Sequence, residues 1–269
     1  MSRKPTAVAL TVAGTDSSGG AGVQADLTAF RALGVWGVCA VTAVTAQNSR
    51  GVAAVHPVPA PVVRAQIDAI VADTRPAAVK TGMLATADLV KSIATAVADL
   101  RLFPLVIDPV LGASQGGRLL DPDGPQAMKD LLLPLCTVLT PNLPEAEVLL
   151  GYPVRRAEEM PAAAEALGNL GPQAVLIKGG HLRSERSPDL LWCDGAATWL
   201  EGSRIDTPNT RGTGCTLSAA IAAYLAAGLA VPEACAKGKA FVTGAIAGGF
   251  GIGPGPGPVD ALWNWGKPS

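Results

Sequence analysis

Short apolar runs of β type alternate with longer segments of helical spacing along most of this chain. Residues 7–13, 37–46, 78–81, 105–107, 138–140 and 174–178 are brief and dominated by Val, Ile, Leu, Ala and Thr, which predicts strands. Between them, apolar positions recur every three or four residues. Val63, Ile67, Ile70 and Val71 give 60–74 that spacing, and 22–33, 126–133, 144–150 and 162–170 read likewise as helices. Thr86 is placed to cap a helix running to about Arg101. Runs 190–193 and 197–201 flank Asp194-Gly195 and predict a hairpin. Helices over 213–227 and 232–249 follow, and the alternating Gly and Pro of 251–258 predict loop. A shorter β segment near 51–55 predicts a small flap.

This alternation predicts an α/β fold with a mainly parallel central sheet and helices on both faces. No internal repeat or linker divides the chain, so residues 1–269 are expected to form a single domain. In such sheets, ligands bind beyond the carboxyl ends of the strands. Those ends carry Gly14-Thr15-Asp16, Gln47-Asn48, Thr81-Gly82-Met83, Asp108-Pro109-Val110, Thr140-Pro141-Asn142 with Glu145, and Lys178-Gly179-Gly180.

Composition narrows the function classes. Hydrophobic residues make up 49% and charged residues 16% of the chain, and the mean hydropathy of +0.33 suits an ordered, compact protein. A net charge of −1 without a basic block gives nucleic-acid binding no footing. The apolar stretch 218–231 is too short for a bilayer, and Met1–Pro5 leads into no secretory signal, so membrane attachment is not expected. The five cysteines form no C-x-x-C pair, which argues against zinc and disulfides and points to the cytoplasm.

The segment Asn209-Thr210-Arg211-Gly212-Thr213-Gly214-Cys215 carries the most chemistry. A glycine-rich turn opening a helix gathers unpaired N–H groups and the positive end of the helix dipole, which suits an anion. Cys215 in the first helical turn is expected to have a lowered pKa and to act as a base beside that cradle. This is the core of a phosphoryl-transfer site, although a capped turn with a buried cysteine reads the same way locally. Asn209 and Thr210 suit either a phosphate contact or a self-bonded turn. Asn142 and Glu145 suit either a magnesium-bound water or a capping box. Asp108 can reach a metal or triphosphate, or close an Asx turn. Lys178 can meet a phosphate as a point charge, and His181 suits a structural hydrogen bond. Gly20, Gly22 and Ala25 match G-x-G-x-x-A. However, the tight turn after the strand is missing, and no acidic residue occurs between Asp26 and Asp68 to bind a ribose. Asp26 and Gln47 suit an amino-substituted ring, and Met83 offers it an adaptable apolar face.

These stretches, in this order and spread over nearly the whole chain, resemble the ribokinase-like superfamily. Within it, they resemble the hydroxymethylpyrimidine/phosphomethylpyrimidine kinases of thiamin biosynthesis. The resemblance implies an ATP- and Mg²⁺-dependent phosphotransferase. Such an enzyme phosphorylates 4-amino-5-hydroxymethyl-2-methylpyrimidine and then its monophosphate, with pyridoxal or pyridoxine kinase as the alternative. It implies that Gly14, Asp26, Gln47, Met83 and Val110 line the pyrimidine pocket. Asp108, Asn142, Glu145 and Lys178 would face the nucleotide phosphates and magnesium, and Gly212, Thr213 and Gly214 would form the anion hole. Cys215 would be the base, where the wider superfamily commonly has Asp. The family also suggests a homodimer. Two positions depart from its pattern. Arg211 stands where histidine is usual and is expected to offer a phosphate contact. Ser17 stands where proline is common and is expected to loosen its loop.

Overall fold

A computed structural model describes residues 7–112, 117, 119–182 and 186–265; the Met1–Pro5 segment lies outside them. The chain runs β1 (Val8–Ala13), α1 (Gly22–Ala32), β2 (Trp36–Val41), β3 (Ala43–Asn48), β4 (Gly51–Pro57), α2 (Ala60–Asp73), β5 (Ala78–Thr81) and α3 (Ala87–Leu100). It continues β6 (Leu105–Ile107), α4 (Gly124–Ala127), β7 (Val138–Leu139), α5 (Leu143–Leu150), α6 (Met160–Gly168) and β8 (Ala174–Ile177). Last come β9 (Asp189–Cys193), β10 (Ala196–Leu200), α7 (Thr213–Ala226) and α8 (Val231–Ala247).

Successive side chains of a strand point to opposite faces, and here both faces are buried. Leu10, Val79, Leu105, Ile107, Leu139, Val175 and Ile177 join one apolar core with residues of α2, α3, α5 and α6. Ala9, Ala78, Val106, Val138, Ala174 and Leu176 join another with α1, α7 and α8. The α7 sequence TGCTLSAAIAAYLA is apolar almost all round, so nine of its residues from Thr216 to Leu225 are buried.

The sheet order is β10-β9-β8-β7-β6-β5-β1-β2. Strands β2, β1, β5, β6, β7 and β8 run parallel, while β9 and β10 form an antiparallel edge hairpin. From β1 the chain steps first to β2 on one side and later to β5 on the other, so the topological switch point lies between β1 and β5. The register Thr81↔Ile107↔Leu139 sets Gly82, Asp108 and Thr140 in a row beyond the strand ends.

One expected element divides in two. Residues 37–46 do not form a single strand: β2 stays in the sheet, and β3 leaves it to pair with β4 as a two-stranded flap. Thr42 makes the break. Its N–H donates to Ala13 O at 3.0 Å, and its hydroxyl donates to Met83 O at 2.6 Å. The expected helix over 126–133 instead begins as α4 and passes through a π-helical turn at Met128–Leu132.

Candidate active site

The parallel strands end at a cavity of about 890 Å³. Gly14, Gln47, Met83 and Val110 line it, together with Asp108, Asn142, Glu145, Lys178, Thr210 and Gly212 to Cys215. Strand order sorts these residues. Gly14 and Met83 follow β1 and β5, Asp108 follows the central β6, and Asn142 and Lys178 follow β7 and β8. On the far side, α8 adds Lys239, Val242, Thr243 and Ile246. The cavity therefore extends from the flap at one end to α8 at the other.

The α7 N-terminus opens into the middle of this cavity. Gly212 takes φ 76°, and a Cβ there would run into the Gly20 carbonyl oxygen, so the turn needs glycine. Among the described residues, the Gly214 and Cys215 N–H groups have no backbone or side-chain acceptor. A Cβ at Gly214 would sit 3.3 Å from Lys178 Nζ and 3.4 Å from Asp108 Oδ2, so the bare backbone keeps those charges close to the amides. This cradle can hold an anion. Gly212→Ala is expected to lower stability by about 1–2 kcal/mol and kcat roughly tenfold, since left-handed backbone disfavours Cβ and the amides must shift. Urea unfolding and steady-state rates check both.

A charged cluster faces the amides. Lys178 Nζ lies 2.9 Å from Asp108 Oδ1 and 3.5 Å from Glu145 Oε2. Asn142 and Glu145 do form a capping box for α5: the Glu145 N–H donates to Asn142 Oδ1 at 2.8 Å, and the Asn142 N–H donates to Glu145 Oε2 at 2.7 Å. The same two side chains line the cavity, so the cap also aims a carboxylate. Burial, partly offset by Lys178, pushes Glu145 up to about 7. Lys178 is held above its usual value because Asp108 and Glu145 outweigh the penalty of burial. No group of three or more His, Cys, Asp or Glu gathers among the described residues. Asp108 and Glu145 nevertheless suit Mg²⁺, which binds through one or two carboxylates plus substrate phosphates and keeps several waters.

Cys215 departs from its sequence expectation. Its thiol is pushed up to about 11, because burial and the nearby Asp26 and Asp108 charges outweigh the attraction of Lys80 and an N–H from Gly22. Lys80 itself is fully buried and pairs with the equally buried Asp26 at 2.7 Å and 2.9 Å, and the Thr11 hydroxyl donates to Asp26 at 2.6 Å. Burial pushes Asp26 up and would pull Lys80 down, but Asp26, Cys215 and Asp108 hold the Lys80 ammonium above its ordinary value. This ion pair sits at the switch point, with Lys80 on the cavity floor.

Three expected contacts are therefore corrected. Asp26 does not line the cavity, because its oxygens are spent on Lys80 and Thr11 beneath it. Asn209 does not face it either: its amide accepts from the Gly257 N–H at 3.1 Å and donates to Gly249 O at 3.3 Å. Arg211 lines the cavity, but its guanidinium is engaged by Asp16 and Ser18, so it clamps the Asp16–Gly20 loop against Gly212. Ser17 does not loosen that loop. Its hydroxyl accepts from the Gln47 N–H and lies 2.8 Å from the Gln47 carbonyl, tying the loop to the flap as proline could not. At the G-x-G-x-x-A segment, the Val23 N–H donates to Gly14 O at 3.0 Å, and a Cβ on Gly22 would strike that oxygen. The first turn of α1 therefore packs against the end of β1, and Gly22 serves that close approach.

Lys80 is the residue that sequence reasoning passed over. Its one signal was a cation inside the otherwise uncharged run Ala78-Val79-Lys80-Thr81. Lys239 was missed as well. It bonds Ser187 O at 2.7 Å and Asp189 at 3.0 Å, while Asp189 accepts the Gly179 N–H at 2.9 Å.

Comparisons with known proteins point to one family and one fold. The sequence profile described as phosphomethylpyrimidine kinase matches residues 16–260. A hydroxymethylpyrimidine/phosphomethylpyrimidine kinase of Rhizobium meliloti is 47% identical over 267 residues, 97% of this chain and 99% of that protein. Among solved structures, an ADP complex of Bacillus subtilis pyridoxal kinase superposes with a TM-score of 0.88 at 40% identity, covering 95% of this chain and 97% of that one. A Clostridium difficile phosphomethylpyrimidine kinase superposes with a TM-score of 0.79 at 38% identity, covering 89% and 99%.

Proposed function

This chain belongs to the phosphomethylpyrimidine kinase family, and from that premise we propose that it moves the γ-phosphate of ATP twice in thiamin biosynthesis. The first transfer goes to the hydroxymethyl of 4-amino-5-hydroxymethyl-2-methylpyrimidine, the second to the resulting monophosphate. The observation that carries this reading is the α7 N-terminus, opening between the cavity end under the flap and the Lys178–Asp108–Glu145 cluster.

The residue roles follow from that placement. Gly14, Gln47, Met83 and Val110 surround the ring, and Gln47 supplies both a donor and an acceptor. The Cys215 sulfur accepts the hydroxyl proton as that oxygen attacks phosphorus. The Thr213 N–H donates to Thr210 O at 3.3 Å, so the open Gly214 and Cys215 amides beyond the Gly212–Thr213 turn, with the Lys178 ammonium, face the charge on the transferring group. Asn142 and Thr210 border the phosphates. Asp108 and Glu145 would hold Mg²⁺, which neutralises charge on the phosphate oxygens when bound. The whole chain serves as one kinase domain.

Two coarser features belong to the same reading. The outward flap face, with Val44 opposite His56 and Ala46 opposite Ala54, is exposed and suits a second copy of the chain; sedimentation velocity tests that dimer. All five cysteines are free thiols, and no helix of the described residues is long and apolar enough to cross a membrane. Both agree with a cytoplasmic enzyme, which cell fractionation tests.

The test is a panel of acceptors with ATP and Mg²⁺, following ADP and both phosphorylated products. ADP formation no faster with the aminopyrimidine alcohol than without acceptor ends this reading. Pyridoxal belongs in the panel, because the Bacillus subtilis pyridoxal kinase shares this fold over nearly its whole length. A higher kcat/KM for pyridoxal would make that the principal activity.

A further inference from the structure

The Gly-Pro segment after α8 is not a free tail. Its glycines 253, 255 and 257 alternate with prolines 254, 256 and 258. At one end the segment meets the flap tip. The Gly255 N–H donates to Ser49 Oγ at 3.2 Å, a Cβ on Gly255 would strike the Ser49 carbonyl, and one on Gly253 would lie 2.9 Å from Ser49 Oγ. Ser49 is only 6% exposed although it occupies a hairpin tip. At the other end the segment meets the anion-hole loop. The Gly257 N–H donates to Asn209 Oδ1 at 3.1 Å, the Arg211 N–H donates to Gly257 O at 3.1 Å, and the Val259 N–H donates to Arg211 O at 3.0 Å. A Cβ on Gly257 would strike the Phe250 carbonyl.

We propose that residues 253–258 form a positioning strap that fixes the flap and the Gly212–Gly214 amides relative to one another through backbone contacts on its glycine face. The argument is steric. Proline fixes φ at the alternate positions and lowers the entropy of ordering the segment, while glycine alone lets the backbone approach Ser49 and Asn209 this closely. The strap touches neither the ring site nor the phosphates directly. Through Ser49 it sets the strand end carrying Gln47, and through Asn209 and Arg211 it sets the turn before Gly212. This rests on the kinase reading for its kinetic consequences, but not for its structural ones.

Two single substitutions separate the strap's ends. Gly255→Ala is expected to raise the acceptor KM about fivefold with kcat within twofold, because Gln47 moves with the flap. Gly257→Ala is expected to lower kcat about fivefold with acceptor KM nearly unchanged, because the amides move. Gly251→Ala is the control, since nothing lies within 4 Å of its Cβ position. Hydrogen exchange of residues 47–51 in the resting enzyme gives a readout independent of turnover, and it should speed at least tenfold in Gly255→Ala but not in Gly251→Ala. Ser49→Ala, which removes only the hydroxyl that Gly255 N–H reaches, should move KM and exchange in the same direction by a smaller factor should Gly255→Ala not fold. Unchanged exchange at 47–51 in Gly255→Ala or, failing that, Ser49→Ala overturns the strap even if no acceptor is turned over. So does an identical KM and kcat pattern from both glycine variants.

Discussion

Replacing Cys215 with alanine is expected to lower kcat roughly 10³-fold and to leave ATP affinity within a few-fold, the scale of losing a positioned general base. On the proposed reading ATP meets the Lys178–Asp108–Glu145 cluster, whose ion pairs are made among its own side chains and not through the sulfur. The stronger test is the pH dependence. With the thiol pushed up to about 11, only on the order of one enzyme in 10⁴ carries a thiolate at pH 7. A thiolate base therefore makes kcat/KM climb about tenfold per pH unit above pH 8, over and above any inflection near 7 from Glu145. Cys215→Asp supplies a base that titrates far lower. It should lose that slope while keeping the Glu145 inflection. An alanine enzyme within tenfold of wild type, or a wild-type rate that is flat from pH 8 to 9.5, removes the sulfur from proton transfer.

The gap between the expected and observed thiol marks where sequence reading runs out. The helix N-terminus at Thr213 is legible because glycines before an apolar helix announce it, and a dipole acts within one turn. The groups that act on the sulfur, Lys80 of β5, Asp26 and Gly22 of α1 and Asp108 after β6, arrive from distant segments, and no local pattern encodes the surroundings that reverse the shift. The strand ends carrying Gly14, Met83, Asp108, Asn142 and Lys178 were legible for a similar reason: parallel sheets put their ligand groups at carboxyl ends, and short apolar runs ending in polar residues reveal those ends. Asn142 and Glu145 were legible as either cap or ligand; they form the cap and also line the cavity. Asn209 was ambiguous because the amide that suits a phosphate suits a loop equally, and the glycines that claim it lie 40 and 48 residues downstream. The division of 37–46 was hidden because β2 and β3 share one β-type composition, and the break depends on Thr42 meeting Ala13 and Met83. Asp26 drew a ligand role because its partner Lys80 is 54 residues away.

Lys80→Met is expected to destabilise the protein by about 3–5 kcal/mol at pH 7.5, because it strands the buried Asp26 carboxylate. The pair itself need not be stabilising. Both side chains are fully desolvated, and an apolar replacement of a whole buried pair is often neutral. Lys80→Met/Asp26→Asn should therefore recover most of the loss, since Asn keeps an acceptor for the Thr11 hydroxyl. The sign of the pH dependence follows from linkage. Without Lys80, burial leaves the Asp26 carboxyl raised in the folded state above its unfolded value of about 3.9. The folded form then prefers the protonated acid. The penalty is therefore small below pH 4 and grows as pH rises toward the folded pKa. Urea unfolding at pH 4 and pH 7.5 should show the single variant losing far more at the higher pH and the double variant losing about equally at both. A single variant within 1 kcal/mol of wild type at pH 7.5, or one equally destabilised at both values, would mean that the carboxylate is not confined by Lys80. The switch point beneath the cavity would then be wetter and looser than a 2.7 Å pair with neither partner exposed allows.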